Sequence, residues 1–333
     1  MNVKKVVLDE LYRCYSTMAM ELDGQLHYFY ASEEKDYPCY AYHADDYSKK
    51  VVWEKGGGVM SMIPHPQQKN TFFAIKDFYL KECPSLAKLV KIFYDGENFI
   101  QTEILHLPFL HRFDVFELDD KVWILASTIA KDKKDKDDWS LPGRVYCGIL
   151  NHDTLESLDI VADGLYRNHG YARLQSKNGG VVTADQGIFK IHYIDHVWKF
   201  EQLYDKAVGE VALLDIDQDG HEEWLTIEPF HGSHIQLYKS QPTVQTLWSY
   251  PSEIDFAHTL QAAHFSFGPC FIGGVRRIHP DLFIISVKDG SINWEVLDDQ
   301  AGPANCVAIT YQGKDIILSA NHTSNQAALY VLQ

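Results

Sequence analysis

Two groups of residues have the types and spacing to do chemistry. The first is the run Asp215-Ile216-Asp217-Gln218-Asp219-Gly220-His221-Glu222-Glu223. Oxygen donors at its first, third, fifth and ninth positions, a backbone carbonyl at the seventh and a glycine at the sixth can wrap a hard cation, with enough carboxylate for calcium. The expected ligands are Asp215, Asp217, Asp219, His221 through its carbonyl, and Glu223. The competing reading is an Asp/Gly-rich turn that holds no ion. Val211 to Leu214 before the run and Trp224 to Ile227 after it read as strands, which rejects a helix–loop–helix calcium hand.

The second group is scattered along the chain: His111-Arg112, His169, Glu228-Pro229-Phe230-His231, His258, Arg276-Arg277, Asn305 and Asn321-His322, with Lys76-Asp77 and Asp185-Gln186. Imidazoles, carboxylates and guanidinia together can hold a metal, move protons and grip hydroxyls. With 16 histidines in 333 residues, some fall at strand ends by chance, where a lone imidazole commonly bonds a turn. The set means something only if one repeated element brings its members together.

Such an element is present. Short aromatic and β-branched runs between turn signals fill the chain, for example Tyr28-Phe29-Tyr30, Val122 to Leu125 and Ile188 to Tyr193, and they read as strands. The one brief helix is expected between Pro84 and Val90. Trp198, Trp248 and Trp294 recur at spacings of 50 and 46 residues, each before a turn, and Trp53 holds a similar place before Gly56-Gly57-Gly58. Four strands per period of this length is the pattern of a β-propeller blade. The fold expected is all-β, a single seven-bladed β-propeller over residues 1–333. Its blades run 12–55, 56–106, 107–160, 161–205, 206–252, 253–299 and 300–333. The last blade has room for three strands, so Val3 to Leu8 should pair with it and close the ring. In a blade, the start of strand one and the end of strand two meet on one face, around the channel mouth. The scattered set falls at those positions, and the calcium loop falls at the opposite end, where it reads as structural. Asp138-Trp139-Ser140-Leu141-Pro142-Gly143 is either a lid or, the preferred reading, a packed turn. The mixed charge run Lys131 to Asp138 reads as a solvated loop.

Composition narrows the classes. The formal charge of −16 disfavours nucleic acid and anionic membranes as partners. Apolar runs are too short for a spanning helix, and the first ten residues reach acid before any apolar stretch, unlike a secretory signal. Six cysteines (Cys14, Cys39, Cys83, Cys147, Cys270, Cys306) lie far apart, which argues against a zinc knuckle or disulfide framework and suits a reducing, cytoplasmic setting. Phosphate loops, nucleophile elbows and His-Glu-x-x-His are missing from the sequence.

The calcium run between two strands resembles the FG-GAP/VCBS repeat. His111-Arg112-Phe113-Asp114, Asp138-Trp139-Ser140 with Pro142-Gly143, and Glu228-Pro229-Phe230-His231-Gly232 resemble the propeller domain of aldos-2-ulose dehydratases. That resemblance implies dehydration or isomerisation of keto-sugars. The cupin-like domains that follow the family's propeller have no counterpart here, so only a propeller-borne step would be implied.

Two functional classes stay open. One is a metal-assisted dehydratase, lyase or isomerase acting on a sugar or sugar acid. In it His111 or His258 is the base, and some of His169, Glu228, His231 and His258 hold a second divalent ion such as zinc, manganese or magnesium. Arg112 and Arg276 grip the substrate, with Asn305, Asn321 and His322 beside them. The other class is a non-catalytic propeller that binds carbohydrate or protein. Fold cannot choose between them.

Overall fold

The computed structural model describes residues 1–81, 84–152 and 154–333, so Cys83 lies outside the described residues. Among these residues there are 28 strands and a single 3-10 turn, Pro84–Leu86. The helix expected up to Val90 is therefore only that turn. Lys88 to Val90 already belong to a strand, where alternate apolar side chains find cross-strand neighbours.

Every strand lies in one of seven four-stranded antiparallel sheets. β1 (Val3–Glu10) is followed by β2 (Cys14–Leu22), β3 (Gln25–Ser32), β4 (Cys39–His43) and β5 (Lys49–Trp53), the last four making the first blade. The second blade is β6 (Met62–Pro64), β7 (Thr71–Lys76), β8 (Lys88–Tyr94) and β9 (Phe99–His106). The third is β10 (Leu110–Leu118), β11 (Lys121–Thr128), β12 (Gly143–Asn151) and β13 (Thr154–Leu165). The fourth is β14 (Tyr171–Arg173), β15 (Gly179–Ala184), β16 (Gly187–Ile194) and β17 (Val197–Tyr204). The fifth is β18 (Glu210–Leu214), β19 (Glu223–Glu228), β20 (His234–Lys239) and β21 (Gln245–Ser249), and the sixth is β22 (Ala257–Phe265), β23 (Gly268–Val275), β24 (Leu282–Lys288) and β25 (Ser291–Asp298). The seventh joins β26 (Pro303–Tyr311), β27 (Lys314–Asn321) and β28 (Gln326–Leu332) to β1, in register from Val3 against Leu332 to Glu10 against Gln326. This is the expected seven-bladed β-propeller, with the N-terminal strand supplying the missing fourth strand of the last sheet. No helix among the described residues is long and apolar enough to cross a membrane.

The chain divides into two compact units, residues 1–17 with 208–333 and residues 18–207. In the first, Leu225, Ile227, Ile235 and Leu237 pack with Phe271, Phe283 and Ile285 from the next blade. In the second, Phe29 meets Phe72 across two blades at 5.2 Å between ring centres. Burying a side chain of this size stabilises the fold by roughly 1.5–3 kcal/mol. The repeating tryptophans Trp53, Trp198, Trp248 and Trp294 all lie on fourth strands, where each covers the apolar layer of its own unit.

Candidate functional site

In the first unit the functional side chains are set by the turn between β19 and β20. Phe230 sits in left-handed backbone, and Gly209 is where the turn leans on the start of β18. A Cβ at Gly209 would lie 1.4 Å from the Phe230 carbonyl oxygen, so only glycine admits this approach. Gly209 N donates to Ile227 O at 2.8 Å, and Ala257 N donates to His231 O at 2.8 Å, which pins the turn to the start of β22. His231 is thereby stacked between Phe230 (3.9 Å between ring centres) and Phe256 (4.3 Å), with His258 next at 5.2 Å.

His258 is buried, and its ring is oriented from both sides. Nδ1 lies 2.7 Å from the Ala304 carbonyl oxygen, which can only accept, so Nδ1 carries the proton. Nε2 then holds the lone pair, and the Tyr15 hydroxyl donates to it at 3.0 Å. Close by, Arg276 Nη2 lies 2.7 Å from Nδ1 and 2.9 Å from Nε2 of His322, and Arg13 Nε donates to that Nε2 at 3.3 Å. Arg276 and Arg277 both lie over the Phe256 ring, at 4.8 and 4.6 Å, a cation–π arrangement that holds cationic groups beside the imidazoles. Two imidazoles sharing a tetrahedral ion with nitrogens about 2 Å from it have ring centres about 5 Å apart. The spacing of His231 and His258 matches that distance, but the Nε2 lone pair of His258 already accepts from Tyr15.

The other sequence-expected residues take several places. Glu228 accepts from Thr226 Oγ1 at 2.7 Å and from the Tyr238 hydroxyl at 3.3 Å, so its carboxylate serves the β19–β20 sheet. Asn321 is fully buried; it accepts from Ser319 and donates to the Tyr330 hydroxyl, which in turn donates to Asp298. That chain of bonds gives Asn321 a structural place rather than the substrate-facing one expected. Asn305, half-buried, sits at the bulge that opens β26. In the second unit, His111 and His169 are buried with ring centres 4.5 Å apart, and Phe78 packs on His111. Arg112 is half-buried beside them on β10. Lys76 is buried over the Trp53 ring and bonded to Gln101, Asp77 pairs with Lys88, and Asp185 pairs with Arg167. These charges join blade to blade or loop to strand. Lys133 lies over the Trp139 ring at 3.1 Å, and Asp138 accepts from Ser140 N and Lys134 N, so the Trp139 segment is tied to its own loop.

At the far end of β19 the carboxylates of Asp215, Asp217 and Glu223 converge, their donor atoms all within 4.8 Å of one another. Asp215 accepts from Asp219 N (3.0 Å) and Gly220 N (2.9 Å), closing the loop, and Gly220 takes the left-handed backbone that the reversal needs. Glu223 is fully buried; one oxygen accepts from Ile216 N at 3.1 Å and the other has no hydrogen-bond partner. Burial, then the neighbouring charges of Asp217 and Asp219, push its carboxyl up to about 7. A buried acceptor left unsatisfied is costly, and oxygen donors without hydrogens are what a hard cation takes. The residues therefore fit calcium. Asp219 is drawn aside by an ion pair with Lys239, which also lies 3.6 Å from Asp217, so three of the five expected ligands gather. His221 is exposed in the same loop.

Sequence reasoning missed Arg13 and Tyr15. Both lie at the start of the first blade's first strand, the position that in other blades yields His111, His169 and His258. The same register in the fifth blade gives the buried Glu210.

No known protein family and no curated protein matches the chain. The resemblance to FG-GAP repeats and to aldos-2-ulose dehydratases thus rests on its short motifs alone. Solved structures match in fold. The Cps50 (Swd1) β-propeller domain of Myceliophteria thermophila is 7% identical with a TM-score of 0.63, covering 99% of each chain. A chain of the mitotic checkpoint complex is 9% identical with a TM-score of 0.62, covering 99% of this chain and 93% of its own. A luciferin-regenerating enzyme is 11% identical with a TM-score of 0.50, covering 99% and 94%. At these identities the likeness is one of fold alone.

Proposed function

We propose that this chain is a lyase or isomerase that moves a proton beside the carbonyl of a keto-sugar or sugar acid, with the Tyr15–His258 pair as its acid–base centre. The observation that carries this reading is the fixed tautomer of His258, whose Nε2 lone pair faces the Tyr15 hydroxyl. In the proposed step the substrate's C–H proton passes to the Tyr15 oxygen while the Tyr15 proton moves to His258 Nε2. The C–H electron pair becomes the enolate. The neighbouring carbon then loses its hydroxyl as water, taking a proton back from the Tyr15–His258 pair. Arg276 and His322 offer donors to carboxylate or hydroxyl oxygens, which supports an oxygen-rich substrate. A second divalent ion such as zinc, manganese or magnesium on His231 and His258 would supply an electrophile for the carbonyl oxygen, but it would take the His258 Nε2 lone pair in place of Tyr15, so it is an alternative to the Tyr15–His258 pair and not part of this step. Calcium at Asp215, Asp217 and Glu223 is proposed as a structural ion.

The test is a panel of keto-sugars and uronates, assayed for the ultraviolet absorbance of the unsaturated product with wild type and His258→Gln. Turnover in wild type that falls 10²–10⁴-fold in the variant supports the reading, given matched melting curves. Saturable binding without turnover in either protein overturns it in favour of a non-catalytic carbohydrate- or protein-binding propeller.

A further inference from the structure

The first blade carries a pair of histidines that the proposed chemistry does not use. His27 on β3 and His43 on β4 are direct cross-strand partners and share one face of the sheet. Their ring centres are 5.2 Å apart with the planes at 78°. Two imidazoles on one tetrahedral ion show ring centres about 5 Å apart. An edge-to-face contact between two aromatic rings has a similar spacing, so the hydrogen bonds must decide.

They point to an ion. His27 Nδ1 lies 2.8 Å from the Gln25 carbonyl oxygen, an acceptor only, so that nitrogen is protonated. His43 Nδ1 lies 3.2 Å from Asp46 Oδ1, and Asp46 is itself held by Ser48 N at 2.9 Å. Asp45 N also approaches His43 Nδ1, at 3.4 Å. The shorter contact, to a charged acceptor, places the proton on Nδ1. Each ring therefore keeps its Nε2 lone pair, and among the described residues neither Nε2 makes a hydrogen bond. One Nδ1 on a backbone carbonyl and the other on a carboxylate is the outer arrangement that orients metal-bound histidines.

We propose that His27 and His43 form a binding site for a borderline divalent ion of the zinc, copper or nickel type, with Gln25 and Asp46 as the outer groups that orient the rings. Two imidazoles leave the remaining positions to water or to a second ligand, and imidazole donors select these ions over calcium or magnesium.

Zinc is the probe. Metal-free protein is titrated with zinc chloride by calorimetry, comparing wild type, His43→Gln, His27→Gln and Asp46→Asn. His43 lies near the surface, its side chain 19% exposed, so its replacement leaves the core intact; the buried His27 needs a melting curve beside its titration. The expected result is one zinc equivalent lost in both histidine variants, and affinity at that equivalent weakened about 10-fold in Asp46→Asn. The same equivalent should persist in His231→Ala, which separates it from the Tyr15–His258 centre. An unchanged zinc count in His43→Gln, or no zinc bound by wild type, would overturn the proposal.

Discussion

At its N-terminal end β19 sets Glu223 beside Asp215 and Asp217; past its C-terminal end the chain turns through Pro229 to Ser233 and lays His231 against Phe256 and His258. Six residues of strand separate the two ends, about 17 Å at strand rise. At the first end carboxylates repel one another, one buried oxygen has no donor, and the strain can be relieved by a cation. At the second, rings stack on one another and the Ala304 carbonyl sets the tautomer of His258. A site of repelling charges couples ligand to stability. A site of stacked, hydrogen-bonded rings does not.

Gly209→Ala attacks only the second end. A Cβ 1.4 Å from the Phe230 carbonyl must displace the turn that positions His231. The expected cost is about 3 kcal/mol of stability, read by urea unfolding, together with loss of turnover. Calcium binding, measured by calorimetry on the folded fraction, should persist. If turnover and stability were both retained, the close approach would not be what positions His231.

Asp217→Ala attacks only the first end. At calcium 100-fold above its Kd, wild type should gain about 2.7 kcal/mol over its calcium-free form, and the variant should gain almost nothing. Equal melting temperatures in calcium and in chelator for wild type would remove the ion site.

Glu223→Gln sharpens the contrast through pH. The folded carboxyl titrates near 7 and the unfolded one near 4.5. A raised folded pKa contributes stability that is present below pH 4.5 and lost as pH rises through 7. Calcium-free wild type should therefore fall, relative to the variant, by roughly 3 kcal/mol between pH 4.5 and 8. With calcium the order should reverse at pH 8. A pH-independent difference between the two proteins would contradict the unpartnered buried carboxylate.

Blade limits were legible because each repeat signals its own ends. Trp53, Trp198, Trp248 and Trp294 mark fourth strands, and Asp23-Gly24, Asp289-Gly290 and Gln312-Gly313 take the paired left-handed backbone of two-residue hairpins. The clustering of Asp215, Asp217 and Glu223 was legible because they lie within nine consecutive positions, although the ion pair of Lys239 with Asp219 was not. Lys239 lies on the next strand, and only register brings it over the loop. Tyr15 was hidden because an aromatic inside an apolar strand looks like core; extending the strand-one register to the first blade would have exposed it. Glu228 and Asn321 were misplaced for the converse reason. A polar residue at a strand end can turn into the sheet as readily as out of it, and Thr226, Tyr238 and Tyr330 decide which. His27 and His43 are 16 positions apart in sequence and meet only through cross-strand pairing.

The division of labour along β19 is tested most directly by proton exchange. A keto-sugar that wild type turns over is incubated in D₂O, and loss of the proton beside its carbonyl is followed by proton NMR with wild type, Tyr15→Phe and Asp217→Ala, all in calcium. Exchange is expected in wild type, reduced at least 100-fold in Tyr15→Phe, and within about twofold of wild type in Asp217→Ala at a temperature where that variant is folded. Equal exchange in wild type and Tyr15→Phe, or exchange lost in folded Asp217→Ala, would contradict the account.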